Sequence, residues 1–130
     1  MRVTDLWTPA SPVALNDAAT LRAAPMVAHH LVRAAAACNN AELDREAPER
    51  ATGDPTEIAL LNAATALGDD VDHGARLAKR RAQFHFDPAL RLMSTIDDVD
   101  GHRWVHTKGA PRRCSPGAPR SRLRTARRSR

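Results

Sequence analysis

The chain has 130 residues, 42% hydrophobic and 27% charged, which fits one folded domain and excludes a wholly disordered chain. Its net charge of +5 is uneven: Arg112 to Arg130 holds eight arginines and no acid, leaving twelve Lys and Arg against fifteen Asp and Glu before it. The basicity belongs to that tail, so the pI does not imply a nucleic-acid function for the chain as a whole.

No stretch of about 18 apolar residues occurs, so no membrane span is expected. The N-terminus lacks the basic-then-apolar order of a signal peptide. Cys38 and Cys114 fit neither a disulfide framework nor a zinc spacing, and free thiols point to a reducing, cytoplasmic setting. The aromatics are Trp7, Phe84, Phe86 and Trp104, so a core of Ala, Leu and Val with marginal stability is expected.

In chain order, residues 1–25 read as an irregular segment with Pro9 and Pro12. A helix is predicted from Met26, after Pro25, to Cys38, with Val27, Leu31, Ala34 and Cys38 as its apolar stripe and Asn39-Asn40 as its stop. Asp54-Pro55-Thr56-Glu57 is a helix start: Asp54 caps, Pro55 suits the first turn, and Glu57 occupies the capping-box position. Ile58, Leu61, Ala64 and Leu67 follow at helical spacing, and Gly68 ends the run. A shorter helix is expected from Gly74 to Ala82.

After Gln83 the pattern changes to strands. Leu90, Leu92 and Ile96 alternate with Arg91, Met93 and Thr95 as in a half-buried strand, Asp97 to Gly101 has turn composition, and His102 to Thr107 forms a second strand. Gly109-Ala110-Pro111 reads as a turn, and 112–130 as a disordered basic tail. Helices first and strands later predict an α+β domain over 26–111. The six histidines share no recognised zinc spacing with cysteine, and Asp97, Asp98 and Asp100 read as a hydrated turn rather than a calcium loop.

Three segments, in order, carry a family resemblance. They are Cys38-Asn39-Asn40-Ala41 with Gly53-Asp54-Pro55-Thr56-Glu57 and Ala59-Leu60-Leu61; Phe86-Asp87 leading to Arg91-Leu92-Met93-Ser94-Thr95; and Lys108-Gly109-Ala110-Pro111. Together they resemble the nucleotide-binding (N) domain of P-type cation-transporting ATPases, particularly the calcium-transporting type and its bacterial relatives. The resemblance implies a partial N-domain-like antiparallel sheet with flanking helices, and ATP or ADP as ligand. Magnesium is expected only in an intact pump, and the remainder of a P-type ATPase is the implied protein partner.

By that resemblance, Lys108 and Gly109 line the adenine pocket, Glu57 accepts from the adenine amino group, and Arg91 lies toward the phosphates. The residue chemistry agrees: Phe86 offers a stacking face, Met93 a soft apolar wall, and Lys108 a cation. Each has a plainer reading too, Glu57 as a capping residue, Phe86 and Met93 as core, Lys108 as a solvated turn residue. Pro88-Ala89-Leu90 and Arg112 depart from the family pattern, and beyond Pro111 the match stops, as a shifted reading frame would make it.

The chain contains no Asp-Lys-Thr-Gly phosphorylation loop, no Thr-Gly-Glu and no Gly-Asp-Gly. A truncated ATP-binding module without turnover is therefore the expected function, with no catalytic residue and no metal site. The alternatives are a poorly folded gene remnant and a nonspecific polyanion binder acting through the arginine tail, with no specific nucleic-acid partner expected.

Overall fold

The computed structural model describes residues 1–9, 11–110 and Cys114. The expected disordered tail thus lies, Cys114 apart, outside the described residues.

The architecture is α+β, with helices preceding a meander of strands. A short antiparallel pair, β1 (Asp5–Leu6) and β2 (Val13–Ala14), leads into α1 (Ala18–Arg22) and α2 (Met26–Ala37). Then come α3 (Pro55–Ala66), α4 (His73–Lys79), β3 (Arg80–Asp87), β4 (Leu92–Val99) and β5 (His102–Gly109). The last three strands form an antiparallel sheet in the order β3-β4-β5.

The start of α3 follows from its first residues. Asp54 accepts from the backbone N–H of Thr56 and Glu57, and Pro55 occupies a position whose missing N–H is not needed. Glu57 does not turn back to complete a capping box; its carboxylate reaches Asn40 and Lys108 instead.

The core lies between α2, α3 and the N-terminal strand pair. Leu6, Val13, Ala28, Val32, Ala36, Leu61, Ala64, Leu67 and Val71 pack together there. Two expectations are corrected by it. Residues 1–25 are not wholly irregular: β1 and β2 bring Leu6 and Val13 into the core. The buried face of α2 is Ala28, Val32 and Ala36, while Val27 and Leu31 of the expected stripe are exposed. Ala28, Ala36 and Ala64 share this core with the larger Val32 and Leu61.

The strand region differs in similar ways. The helix expected to reach Ala82 stops at Lys79, because Arg80 leaves helical geometry and opens β3. On β4 the buried residues are Met93, Thr95 and Asp97, the alternate set to Leu92 and Ile96, and Leu90 is exposed in the preceding turn. Burial of polar residues is possible there because partners exist. Asp97 accepts from Arg80 at 3.3 Å, Thr95 Oγ1 donates to Ala37 O at 3.4 Å, and Arg80 Nη2 also donates to Ala37 O.

The turn is shorter than expected. Asp97 and Asp98 are strand residues, and only Asp100-Gly101 link β4 to β5, with Val99 opposite His102. Positive φ at both, 51° and 74°, is the twist a two-residue hairpin connection requires, and it suits Asp-Gly. Asp98 sits between Arg81 and Arg103, whose hydrogen bonds pull its pKa down to about 2.

Candidate functional site

One end of the sheet gathers most of the residues singled out in the sequence. Strand register sets Met93 opposite Lys108 and Leu92 opposite Gly109. On the other side of β4, Phe84 faces Ser94 and Asp87 faces Leu92, so His85 and Phe86 together oppose Met93. This is a β-bulge, and counting back from Asp87 it returns Phe86 to the row of Met93 and Lys108. Without the extra residue Phe86 would share the row and face of Leu92. The row Phe86–Met93–Lys108 thus crosses all three strands.

The three differ in exposure. Met93 is 4% exposed and forms a floor, whereas Phe86 is 58% exposed, its ring open to solvent. Lys108 is partly buried, and its Nζ donates to Glu57 Oε1 at 2.5 Å. Glu57 arrives from the first turn of α3, so the ion pair ties that helix to β5. Its second oxygen, Oε2, accepts from the backbone N–H of Asn40 at 3.2 Å.

Gly109 is required by a close approach. A Cβ at this position would lie 2.3 Å from Arg91 O and 2.6 Å from Leu92 Cδ2. Arg91 has φ 56°, closing the turn before β4; its N–H donates to Asp87 O, and its carbonyl accepts from Ala110 N–H at 3.2 Å. The backbone of Arg91 is therefore fixed beside the end of β5, where Gly109 is a strand residue rather than part of the expected turn, and its side chain is exposed.

Sequence reasoning missed the supporting residues. Cys38 is buried beneath the row, and its thiol donates to Met93 O at 3.4 Å. Burial pushes its pKa up, against the opposing effect of Lys108. Asn39, also buried, donates to Ala35 O and Glu57 O and accepts from Ala41 N–H, binding the end of α2 to α3. The Asn39-Asn40 pair was legible as a helix stop and as part of the first resemblance segment, not as a support for Glu57. Beside them on the sheet, Trp104 and His106 lie in nearly parallel planes, centroids 6.4 Å apart.

A carboxylate paired with a lysine, a buried methionine and an open aromatic ring thus lie together at this end of the sheet. A separate open depression, lined by Glu42, Asp44, Arg45, Glu46 and Asp72, contains none of these residues. Among the described residues no group of three or more His, Cys, Asp or Glu is placed to hold a metal ion. Among them, also, no helix is long and apolar enough to cross a membrane.

Residues 28–114 match the family model described as P-type ATPase, cytoplasmic domain N. The chain belongs to that P-type ATPase family. Among similar proteins, Calcium-transporting ATPase 1 of Lactococcus lactis subsp. lactis is 35% identical over 81 residues, which are 62% of this chain and 9% of that protein. Calcium-transporting ATPase 1 of Bacillus cereus is 37% identical over 73 residues, 56% of this chain and 8% of that one. The Calcium-transporting ATPase of Bacillus subtilis is 37% identical over 78 residues, covering 58% and 9% respectively. The chain thus spans less than a tenth of the length of these P-type ATPases.

Proposed function

We propose that this P-type ATPase N-domain chain binds ATP or ADP through the adenine ring. Phe86 stacks on the base, Met93 forms the floor, and Glu57 accepts from the amino group. Lys108 and Gly109 line the slot, and Arg91 lies toward the phosphates. The observation that carries this reading is the Glu57–Lys108 pair at 2.5 Å, set in the register row of Met93 and Phe86. Family membership supports it independently.

The proposed activity is binding, not turnover, because the 130 residues hold no Asp-Lys-Thr-Gly aspartate to receive a phosphoryl group. The relatives named as calcium-transporting ATPases favour a place on the cytoplasmic side of a cation pump, with the remainder of such a pump as partner.

An NMR titration with ATP, ADP and GTP tests the reading, using Lys108→Ala and Phe86→Ala as controls. Saturable shifts at the row residues, stronger for ATP than GTP and lost in both variants, are expected. Flat spectra from a folded chain would sink it.

One observation favours a second reading, a poorly folded remnant that binds nothing specifically. The sheet face opposite the slot exposes Phe84 (60%) and Val105 (43%), apolar surface that a working domain ordinarily covers. A broad, weakly cooperative unfolding transition would support that reading over the first.

A further inference from the structure

Arg76, on α4, is 9% exposed, and its four hydrogen bonds among the described residues all end on backbone carbonyls. Nε donates to Val71 O at 3.2 Å and Nη1 to Ala36 O at 3.4 Å. The other two flank one residue: Nη1 donates to Asn39 O at 3.1 Å and Nη2 to Ala41 O at 2.6 Å. The residue between them is Asn40, whose N–H donates to Glu57 Oε2.

Asn39 O and Asn40 N–H belong to the same peptide unit. A cation on the oxygen of a peptide draws electron density from its nitrogen and strengthens the N–H as a donor. The buried guanidinium also meets the carbonyl end of α2, where the helix dipole favours positive charge. Burial pulls its pKa down, as does the Arg80 cation, while Glu57, Asp72 and Glu42 act the other way. Glu57 is thus the leading counter-charge of Arg76, and the peptide between them makes the contact.

We infer that Arg76 is a positioning residue for Glu57, holding Oε2 through the Asn39–Asn40 peptide. Oε1 is then the acceptor that exchanges Lys108 for the amino group of a base. The inference rests on the nucleotide reading and deepens it: selectivity for an amino-bearing purine is set from α4, through the Asn39–Asn40 peptide and Glu57. The resemblance itself does not point to this position.

The test compares ATP with inosine triphosphate, which carries a carbonyl where ATP carries the amino group, on the full chain and on Arg76→Lys. The wild type is expected to favour ATP by about tenfold, the worth of one hydrogen bond to a charged group. In Arg76→Lys, whose ammonium cannot span the Asn39 and Ala41 carbonyls as the planar fork does, ATP affinity falls to that of inosine triphosphate, which itself stays unchanged. A merely structural role would weaken both nucleotides alike, and that outcome overturns the inference, as does an ATP preference that survives in folded Arg76→Lys. Absence of any ATP preference in the wild type overturns the nucleotide reading, and this inference with it.

If Arg76→Lys does not fold, Glu57→Gln decides from the other side. The Asn40 amide and the Arg76 side-chain nitrogen resonances are both expected to move in that variant. Movement of Asn40 with Arg76 unmoved overturns the inference.

Discussion

Lys108 Nζ meets Glu57 Oε1 at 2.5 Å although the two residues are 51 positions apart, so one ion pair locks the start of α3 to the end of β5. Both side chains are largely withdrawn from water, 25% and 14% exposed, which puts the pair between a surface bridge and a buried one.

Lys108→Ala is expected to weaken ATP binding by about tenfold and to lower stability by about 1–2 kcal/mol. Glu57 would keep Asn40 N–H as a partner, so its charge is not left wholly unpaired. Calorimetric titration and urea unfolding measure the two effects. Unchanged stability would mean that the pair contributes nothing net to the fold.

Gly109→Ala should be the most damaging single-methyl change at the site. The new Cβ would press on Arg91 O and Leu92, forcing the β4–β5 end apart at about 1–3 kcal/mol. Loss of ATP binding is expected with it, since Arg91 and Lys108 are both displaced. An unfolding midpoint equal to the wild type would show that this end of the sheet opens freely.

Asp54→Ala removes two hydrogen bonds to the first turn of α3, and about 1 kcal/mol of stability should go with them. Asp54→Asn, which keeps an accepting oxygen, is expected to stay near the wild type. Equal loss in both variants would assign the effect to charge rather than to capping.

His106 gives the chain a pH dependence of known sign. Burial lowers its pKa, with Arg80 and Arg33 adding to the shift and Asp97 opposing it. The unfolded chain therefore binds the proton more readily, and stability should fall as the pH drops through the ordinary histidine range near 6.5. Urea midpoints at neutral and mildly acidic pH would show this slope, and His106→Gln should flatten it. A slope retained in that variant would point to another group.

What the sequence disclosed was what local chemistry decides. Asp54-Pro55 and Gly68 bracket α3 because caps act on their own few residues, and a hairpin turn within Asp97 to Gly101 was legible, though not its confinement to Asp100-Gly101. The faces of α2 and β4 were not legible. In α2 the larger apolar residues Val27 and Leu31 face outward, while Ala28, Val32 and Ala36 take the inner face. On β4 the buried set contains Thr95 and Asp97, which hydrophobic alternation alone assigns to solvent; Arg80 and the end of α2 supply their partners from elsewhere in the chain.

The site divides along the same line. Glu57, Lys108 and Gly109 entered the candidate site by resemblance alone, and register adds that Phe86 and Met93 share their end of the sheet through a bulge. Arg76 carried no signal, since an arginine on a short polar helix reads as solvated until the carbonyls around it are known.

The contacts that close this end of the sheet join distant positions, 51 residues apart for Lys108 with Glu57 and 55 for Cys38 with Met93. The core residues are all in place in the sequence by Val71, whereas these closures must wait for β4 and β5. During synthesis, the core residues, the last of them Val71, would thus emerge from the ribosome well before Lys108 and Gly109, the final residues of the proposed nucleotide site.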